Sequence, residues 1–271
     1  MKNRSVFTVI KGMIVGGTML VPGVSGGSMA MILGIYDKLV SSVSSFAKHK
    51  RESLIFLGQF SLGGGLGMLL FARPILGLIE RFPMPMLYFF LGAVAGGVPL
   101  ILREAKVTSF SFREPAWLAL GLLAVFGISC LPEGLFAAEM AGAAGFLFLM
   151  AAGVAAAAAL VLPGISVSYL FLVLGIYDEL MRSISTLRLS FLVPLALGLL
   201  LGVVLTTRVL ETAMNRHPQP TYLMILGFVF GSMAEVFPGI PSGTEFLVCL
   251  AALAAGSGVI RLITASEGNE K

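Results

Sequence analysis

Residues 22–37 read PGVSGGSMAMILGIYD, and residues 163–178 read PGISVSYLFLVLGIYD. The two stretches lie about half a chain length apart. When the comparison is extended to residues 22–45 and 163–186, eleven positions carry the same amino acid. Each copy places a Pro-Gly pair, which interrupts helices, inside apolar sequence. A broken apolar segment that recurs in both halves of a chain is the pattern expected for the binding site of a transporter.

The composition indicates the class of protein. Of the 271 residues, 57% are hydrophobic and only 12% are charged, and the mean hydropathy is +0.98. Soluble domains carry roughly 25% charged residues. We therefore predict an integral membrane protein. The net charge of +4 is too small to indicate nucleic-acid binding, and it fits a membrane protein with basic cytoplasmic loops.

The apolar stretches around the first Pro-Gly pair are short. Residues 8–21 would form a helix of roughly 21 Å, whereas the hydrocarbon core of a bilayer is ~30 Å thick. Residues 28–40 are similarly short. Two half-length helices joined by a turn predict a re-entrant hairpin, because irregular backbone at that depth must be covered by protein or by a water-filled cavity. A kinked single span is the alternative interpretation.

We predict an all-α fold with an inverted-topology repeat, in which each half is a re-entrant helical hairpin plus three transmembrane helices. The first repeat takes residues 1–135, with its hairpin at about 6–45 and spans at about 54–79, 86–102 and 116–131. The second repeat takes residues 136–271, with its hairpin at about 142–181 and spans at about 190–210, 221–237 and 246–263.

The number of crossings determines the relative orientation of the halves. Three spans separate the two predicted hairpins, so the halves would lie in opposite orientations. If the N-terminus is cytoplasmic, fourteen Lys and Arg residues fall on the cytoplasmic side and four on the other side. Cytoplasmic loops carry an excess of Lys and Arg, so this bias supports the topology. Both termini are then predicted to be cytoplasmic.

The two hairpins predict an anion site. A new helix would begin near Gly26 and another near Val167, and each helix start offers unpaired N–H groups. Inverted repeats bring such breaks together near the membrane midplane. A kink capped by serine is the alternative interpretation of each break. The candidate substrate-binding residues of the two breaks are Ser25, Gly26, Gly27, Ser28, Ser166 and Ser168.

Two symmetric pairs of arginines add candidate cations. Arg73 matches Arg208 in the second half, and arginine inside a span usually marks a pathway. A guanidinium group suits a phosphate, so this pair joins the predicted substrate-binding set. Arg81 matches Arg216, and each precedes a Pro-x-Pro turn. Anchoring to lipid headgroups is the plain interpretation of this second pair, and gating is the functional one.

The repeated Gly-Ile-Tyr-Asp sequence closes each predicted hairpin. Tyrosine favours the headgroup level of a membrane, so anchoring is one interpretation. A gating or coupling role at the mouth of the cavity is the other. The residues concerned are Tyr36, Asp37, Tyr177 and Asp178.

The signatures of enzymes are missing from the sequence. It contains no metalloprotease, serine-hydrolase or nucleotide-binding motif, and no clustered metal-ligand spacing. His49 and His217 lie in polar loops, and Cys130 and Cys249 lie apart in apolar stretches. We predict no enzymatic activity, no cofactor and no metal.

The paired motifs resemble those of the polyprenyl-phosphate transporter family, over essentially the whole chain. The resemblance implies a cytoplasmic-membrane protein that returns undecaprenyl phosphate from the outer to the inner leaflet for the synthesis of envelope polymers. The family pattern transfers onto Pro22, Gly23, Ser25, Gly26, Gly27, Gly34 and Tyr36, and onto Pro163, Gly164, Ser166, Gly175 and Tyr177.

Three positions depart from that pattern. Ser28 replaces the usual Thr and keeps the hydroxyl. Val167 replaces a glycine, so the backbone of the second hairpin is expected to approach a ligand less closely. Met19 replaces an acidic residue, which weakens the case for a proton-carrying carboxylate there. Because Gly26 of the first copy is matched by Val167 in the second, we predict that the first hairpin holds a headgroup more closely than the second.

The leading hypothesis is therefore a multi-pass flippase of the inner membrane, with a polyprenyl-phosphate lipid as its partner and no nucleic acid. The oligomeric state stays open. One alternative is a secondary transporter or channel for a small soluble anion. A membrane lipid phosphatase is a weaker alternative, because the sequence offers no acid/base pair for it.

Overall fold

The computed structural model describes residues 2–19, 25–106, 113–134 and 142–268. Pro22 and Gly23 of the first motif lie outside these residues. Helices make up the described structure, six in each half of the chain. The first six are α1 (Lys2–Thr18), α2 (Gly26–Ile32), α3 (Tyr36–Ser44), α4 (Lys50–Arg81), α5 (Pro83–Glu104) and α6 (Arg113–Ser129). The second six are α7 (Gly142–Val161), α8 (Val167–Val173), α9 (Tyr177–Ser185), α10 (Leu189–Arg216), α11 (Pro218–Val236) and α12 (Glu245–Gly268).

Helices lie at all six positions where plain spans are predicted. Five helices in the described part of the chain, namely α4, α5, α7, α10 and α12, are long and apolar enough to cross a membrane. The chain is therefore a multi-pass, all-α membrane protein. With 20 residues, α7 is about 30 Å long, so the first leg of the second predicted hairpin can reach across the hydrocarbon core. The re-entrant geometry stays a prediction.

The second leg of each predicted hairpin differs from the expectation of one continuous helix. The chain forms two short helices there, α2 and α3 in the first half and α8 and α9 in the second. Gly34 and Gly175 have φ values of +64° and +70°. This left-handed conformation ends the preceding helices. The next residue donates its N–H to the carbonyl five positions back, as in Ile35 to Ala30 and Ile176 to Phe171. These bonds form a Schellman motif, so the repeated Gly-Ile-Tyr-Asp sequence is a helix stop followed by a helix start.

Glycines pack the long helices into four close pairs: α1 with α4, α7 with α10, α5 with α12, and α6 with α11. A Cβ added to Gly16 would lie 2.1 Å from the carbonyl oxygen of Gly64. In the corresponding pair of the second half, a Cβ added to Gly198 would lie 2.0 Å from the carbonyl oxygen of Met150. Small residues allow helix backbones to approach closely in membranes. Corresponding helices thus pair in the same way in both halves.

This close approach predicts that Gly67→Ala separates α1 from α4. The new Cβ would lie 2.1 Å from the backbone oxygen of Met13, which cannot move aside alone. We expect a loss of about 1–3 kcal/mol in the free energy of unfolding, as for overpacked cores. Gly65→Ala, on the same helix with nothing within 4 Å, should be neutral or slightly stabilising. Thermal unfolding of the purified variants in detergent measures both, and equal midpoints would contradict the packing argument.

The short helices are packed unequally in the two halves. In the first half, α2 packs on α5, and α3 packs on α4 and on α10 of the other half. In the second half, α8 packs mainly on α7, and α9 mainly on α10. Met29, Ile32 and Leu33 of the first half are almost fully buried in the main core. Phe171 and Ile176 belong to a smaller cluster between α7 and α10. The first broken segment is therefore the more firmly held.

Candidate functional site

Both repeated motifs start helices at the predicted places. The helix α2 begins at Gly26 after the N-cap Ser25, and α8 begins at Val167 after the N-cap Ser166. The Oγ atom of Ser166 accepts a hydrogen bond from the N–H of Tyr169 at 3.2 Å, whereas the side chain of Ser25 makes no capping bond. The predicted helix starts near Gly26 and Val167 are confirmed. Each helix has only seven residues, so its dipole is small and free N–H groups and hydroxyls are its main polar features.

The two breaks lie against each other. A Cβ added to Gly27 would lie 3.3 Å from Cα of Pro163, which is tight contact with the opposite break. The hydroxyl of Tyr36 donates a hydrogen bond to the carbonyl oxygen of Val161 at 2.6 Å. That carbonyl belongs to the last residue of α7, where the helix ends before Pro163 and cannot satisfy its own carbonyls. A residue of the first motif thus supports the end of the helix that leads into the second.

Gly164 fits its position for two reasons. Its φ is +88°, a left-handed conformation that residues with a side chain rarely adopt. An added Cβ would also lie 2.3 Å from the carbonyl oxygen of Phe228. The second break is therefore seated directly on the backbone of α11.

A cavity of about 680 Å³ lies where the two breaks meet, a size typical of sites for small-molecule ligands. Residues of both motifs line it. Those that the sequence proposes for the substrate are Ser25, Gly26, Gly27, Ser166 and Ser168. Tyr36 also lines it, as do Met19 and Val167, the positions that depart from the family pattern. The structure thus brings the two motifs together in one cavity.

Ser28 occupies a different position from the other serines. Its side chain is only 2% exposed, and its Oγ has no hydrogen-bond partner among the described residues. With Ser25 and Ser232 it lines a small adjoining cavity of about 20 Å³, which has room for one water molecule. An unpaired buried hydroxyl is costly, by about 1–3 kcal/mol.

The four arginines lie away from the cavity. Arg73 and Arg208 are exposed and are not among the residues that line it. The Nε atom of Arg208 lies 3.5 Å from the carbonyl oxygen of Ser44. Arg81 and Arg216 are the last residues of α4 and α10, and both are exposed. The geometry therefore does not bring these four cations to the serines that line the cavity.

The two Tyr-Asp pairs have different surroundings. Asp37 accepts a hydrogen bond from the hydroxyl of Tyr222 at 2.6 Å, in addition to the bond that Tyr36 makes to α7. The side chains of Tyr177 and Asp178 make no hydrogen bond to other described residues, and Asp178 is exposed. The first pair thus joins its hairpin to the other half, and the second pair does not.

Sequence reasoning missed several polar contacts. Lys11 is 7% exposed, and its Nζ donates to the carbonyl oxygen of Leu33 at 2.6 Å, which supports the end of α2. Ser44 hydrogen-bonds to Glu211, which joins α3 to α10. A lysine inside the apolar sequence of α1 is the visible signal for the first of these contacts.

The ionisable lining of the cavity is sparse. Glu235 supplies a carboxylate, and its Oε1 accepts a hydrogen bond from Ser129. No Lys, Arg or His is among the described residues that line the cavity. Across the described ranges, no three His, Cys, Asp or Glu side chains are grouped to hold a metal. The polar features of the cavity are chiefly hydroxyl groups and glycine backbone.

Comparisons with known proteins cover most of the chain. A family described as undecaprenyl phosphate translocase-like matches residues 15–246. A polyprenyl-phosphate transporter of Staphylococcus aureus is 32% identical over 245 residues, which is 86% of this chain and 87% of that protein. A polyprenyl-phosphate transporter of Vibrio cholerae is 28% identical over 245 residues, 85% of this chain and 77% of that protein. No solved structure matches the chain.

Proposed function

Because this chain belongs to the undecaprenyl phosphate translocase-like family, we propose that it is a flippase for polyprenyl phosphate. The lipid would be undecaprenyl phosphate, returned from the outer to the inner leaflet of the cytoplasmic membrane. Its return would supply the synthesis of envelope polymers. The observation that carries the proposal is the cavity in which the hydroxyls of both repeated motifs meet apolar walls.

The phosphate group is assigned to the two breaks. A phosphate monoester carries about −1.5 to −2 charges at neutral pH, and moving it uncompensated through hydrocarbon would cost tens of kcal/mol on a Born estimate. Ser25 and Ser168 offer hydroxyl donors, and Gly26 and Gly27 allow the backbone to approach a ligand. Glu235 would repel an anion beside it. The phosphate is therefore assigned to the breaks rather than to α11.

Movement of the lipid would follow alternating access between two related halves. The glycine-packed pairs α1–α4 and α7–α10 correspond in the repeat, as do α5–α12 and α11–α6, which supports an inverted repeat. The contacts of Tyr36, Asp37 and Ser44 with the second half would close one end of the cavity. With the basic loop at residues 48–51 in the cytoplasm, the closed end would be the cytoplasmic one, as required to load lipid from the outer leaflet.

The small-anion alternative is less well supported. Most residues that line the cavity are apolar, including Leu39, Leu57 and Phe60. A site for a free, hydrated anion would bring polar groups from all sides, because the anion exchanges its whole water shell for protein contacts. An apolar wall suits a ligand that joins a phosphate to hydrocarbon.

Reconstitution tests the proposal. Purified protein in liposomes, with undecaprenyl phosphate placed in one leaflet, should make that lipid accessible from the other leaflet faster than in protein-free liposomes. Uptake of radiolabelled inorganic phosphate is measured in the same preparation. Phosphate uptake without lipid movement would favour the small-anion transporter, and release of inorganic phosphate from undecaprenyl diphosphate would favour the phosphatase. Either result, in the absence of lipid movement between the leaflets, would contradict the flippase.

A further inference from the structure

We propose that the isoprenoid tail of the lipid leaves the cavity through a lateral slot between α4 and α10. This inference rests on the proposed function, because it concerns the other end of the same ligand. A flippase needs a polar site for the headgroup and a side path to the bilayer for the tail. The repeated motifs account for the polar site, and they contain nothing that accounts for the path.

The apolar walls of the cavity come from particular helices. Leu57 and Phe60 of α4 line it, as does Val203 of α10. The polar lining comes mainly from the two breaks and from α11. Ser61 of α4 and Thr207 of α10 add one hydroxyl each, and that of Thr207 is bonded to carbonyls of its own helix. Apolar side chains of α1, α3 and α7 complete the walls, so the cavity is amphipathic and α4 and α10 contribute to its apolar part. A hydrocarbon chain there would keep apolar surroundings when it leaves the bilayer, since lipid tails are as apolar as these side chains.

The helices α4 and α10 make no extended contact with each other. The close partner of α4 is α1, and the close partner of α10 is α7. Away from the cavity, both helices carry apolar side chains on their surfaces, and Leu69 of α4 is 81% exposed while Leu200 of α10 is 65% exposed. A gap between two such surfaces opens onto lipid, because the surrounding side chains are those of a membrane-facing helix.

One end of the gap is bridged and the other is not. The helix α3 packs on both α4 and α10, with Lys38 lying 4.4 Å from the ring centroid of Phe56 and Ser44 bonded to Glu211. The repeat equivalent of α3 is α9, which packs mainly on α10 and has no extended contact with α4. The slot is therefore open toward the first residues of α10 and the last residues of α4.

The cavity is too small to hold the whole of a polyprenyl phosphate. The cavity volume of about 680 Å³ suits a ligand of drug-like size, and undecaprenyl phosphate is far larger. Most of its tail must lie outside the cavity while its phosphate is held at the breaks. A slot that joins the cavity to the bilayer allows this, whereas a closed pocket does not.

A matched pair of tryptophan variants tests the slot. Val203→Trp fills the gap, and we expect it to lower transport of undecaprenyl phosphate in liposomes at least tenfold. Leu200 lies on the exposed side of the same helix, so transport by Leu200→Trp should stay within twofold of transport by the unmodified chain. Thermal unfolding of both variants shows whether they are folded. Equal transport by two folded variants would overturn the slot.

Photolabelling of the unmodified protein keeps the slot testable if Val203→Trp does not fold. A polyprenyl phosphate with a diazirine in the isoprene units nearest the phosphate should label Leu57, Phe60 or Val203, and excess unlabelled undecaprenyl phosphate should compete. Competed labelling that maps only to outward residues such as Leu69 and Leu200 would overturn the slot and leave the flippase standing. Absence of both competed labelling and transport would overturn the flippase, and the slot with it.

Discussion

Gly164→Ala is expected to abolish transport and to lower the thermal stability strongly, because the alanine meets two obstacles at once. A left-handed backbone costs a residue with a side chain roughly 1–2 kcal/mol. The Cβ would in addition lie 2.3 Å from the carbonyl oxygen of Phe228, and this backbone atom is part of a buried helix. The second break would therefore have to leave its seat on α11, which would displace the serines that follow it.

Gly239→Ala is the matched control for this prediction. Gly239 has a φ of +92°, close to that of Gly164, and an added Cβ would meet nothing within 4 Å. It carries the backbone cost without the clash, so we expect a modest loss of stability and retained transport. Thermal unfolding in detergent and lipid transport in liposomes compare the two. If they behave alike, contact with Phe228 does not hold the break in place.

Removal of one cavity hydroxyl from each break should have the second large effect. Hydrogen bonds to charged groups contribute about 1.5–3 kcal/mol each, so Ser25→Ala combined with Ser166→Ala should lower transport by about two orders of magnitude or more. In cells, undecaprenyl phosphate should accumulate on the outer surface at normal protein levels. An unchanged distribution of the lipid would reject the assignment of the phosphate to the breaks.

The two serines differ in structural cost, and this difference guides the controls. Ser166 caps α8, and loss of an N-cap costs about 1 kcal/mol, whereas Ser25 makes no capping bond. Ser25→Ala alone should therefore reduce transport with little change in stability. Ser41→Ala with Ser185→Ala is the control pair, because these exposed hydroxyls bond to carbonyls of their own helices. Normal transport is expected from that pair.

Comparison of the predictions with the structure separates local from non-local properties. The sequence predicts the membrane class, helices at the six plain-span positions and the helix starts near Gly26 and Val167, and the structure confirms them. Of the helices at the six positions, α4, α5, α10 and α12 are long and apolar enough to cross a membrane. The predicted family resemblance is confirmed as well. The prediction that the second leg of each hairpin is one continuous helix was wrong, because Gly34 and Gly175 end the preceding helices in a Schellman motif. The repeated Gly-Ile-Tyr-Asp sequence contained that signal.

The arginines illustrate what pattern alone did not resolve. Arg73 and Arg208 are symmetric in sequence and lie in long apolar helices, which pointed to a pathway. Which way such a residue faces depends on the rotation of its helix about its own axis. That rotation follows from close packing at glycines such as Gly67 and Gly198, each of which touches the backbone of a neighbouring helix. With those contacts made, both arginines lie outside the cavity lining.

The sequence by itself determined that the chain is a membrane protein, that its central motif occurs twice, and where the helices that follow the two Pro-Gly pairs begin. Hydropathy, helix length and the conformations open to Pro and Gly are properties of short segments, so these features can be predicted locally. Only the tertiary structure decided that Gly27 meets Pro163, that Gly164 lies against Phe228, and that α4 and α10 make no extended contact with each other. Those contacts join residues far apart in the chain, and they depend on how closely each pair of helices can approach.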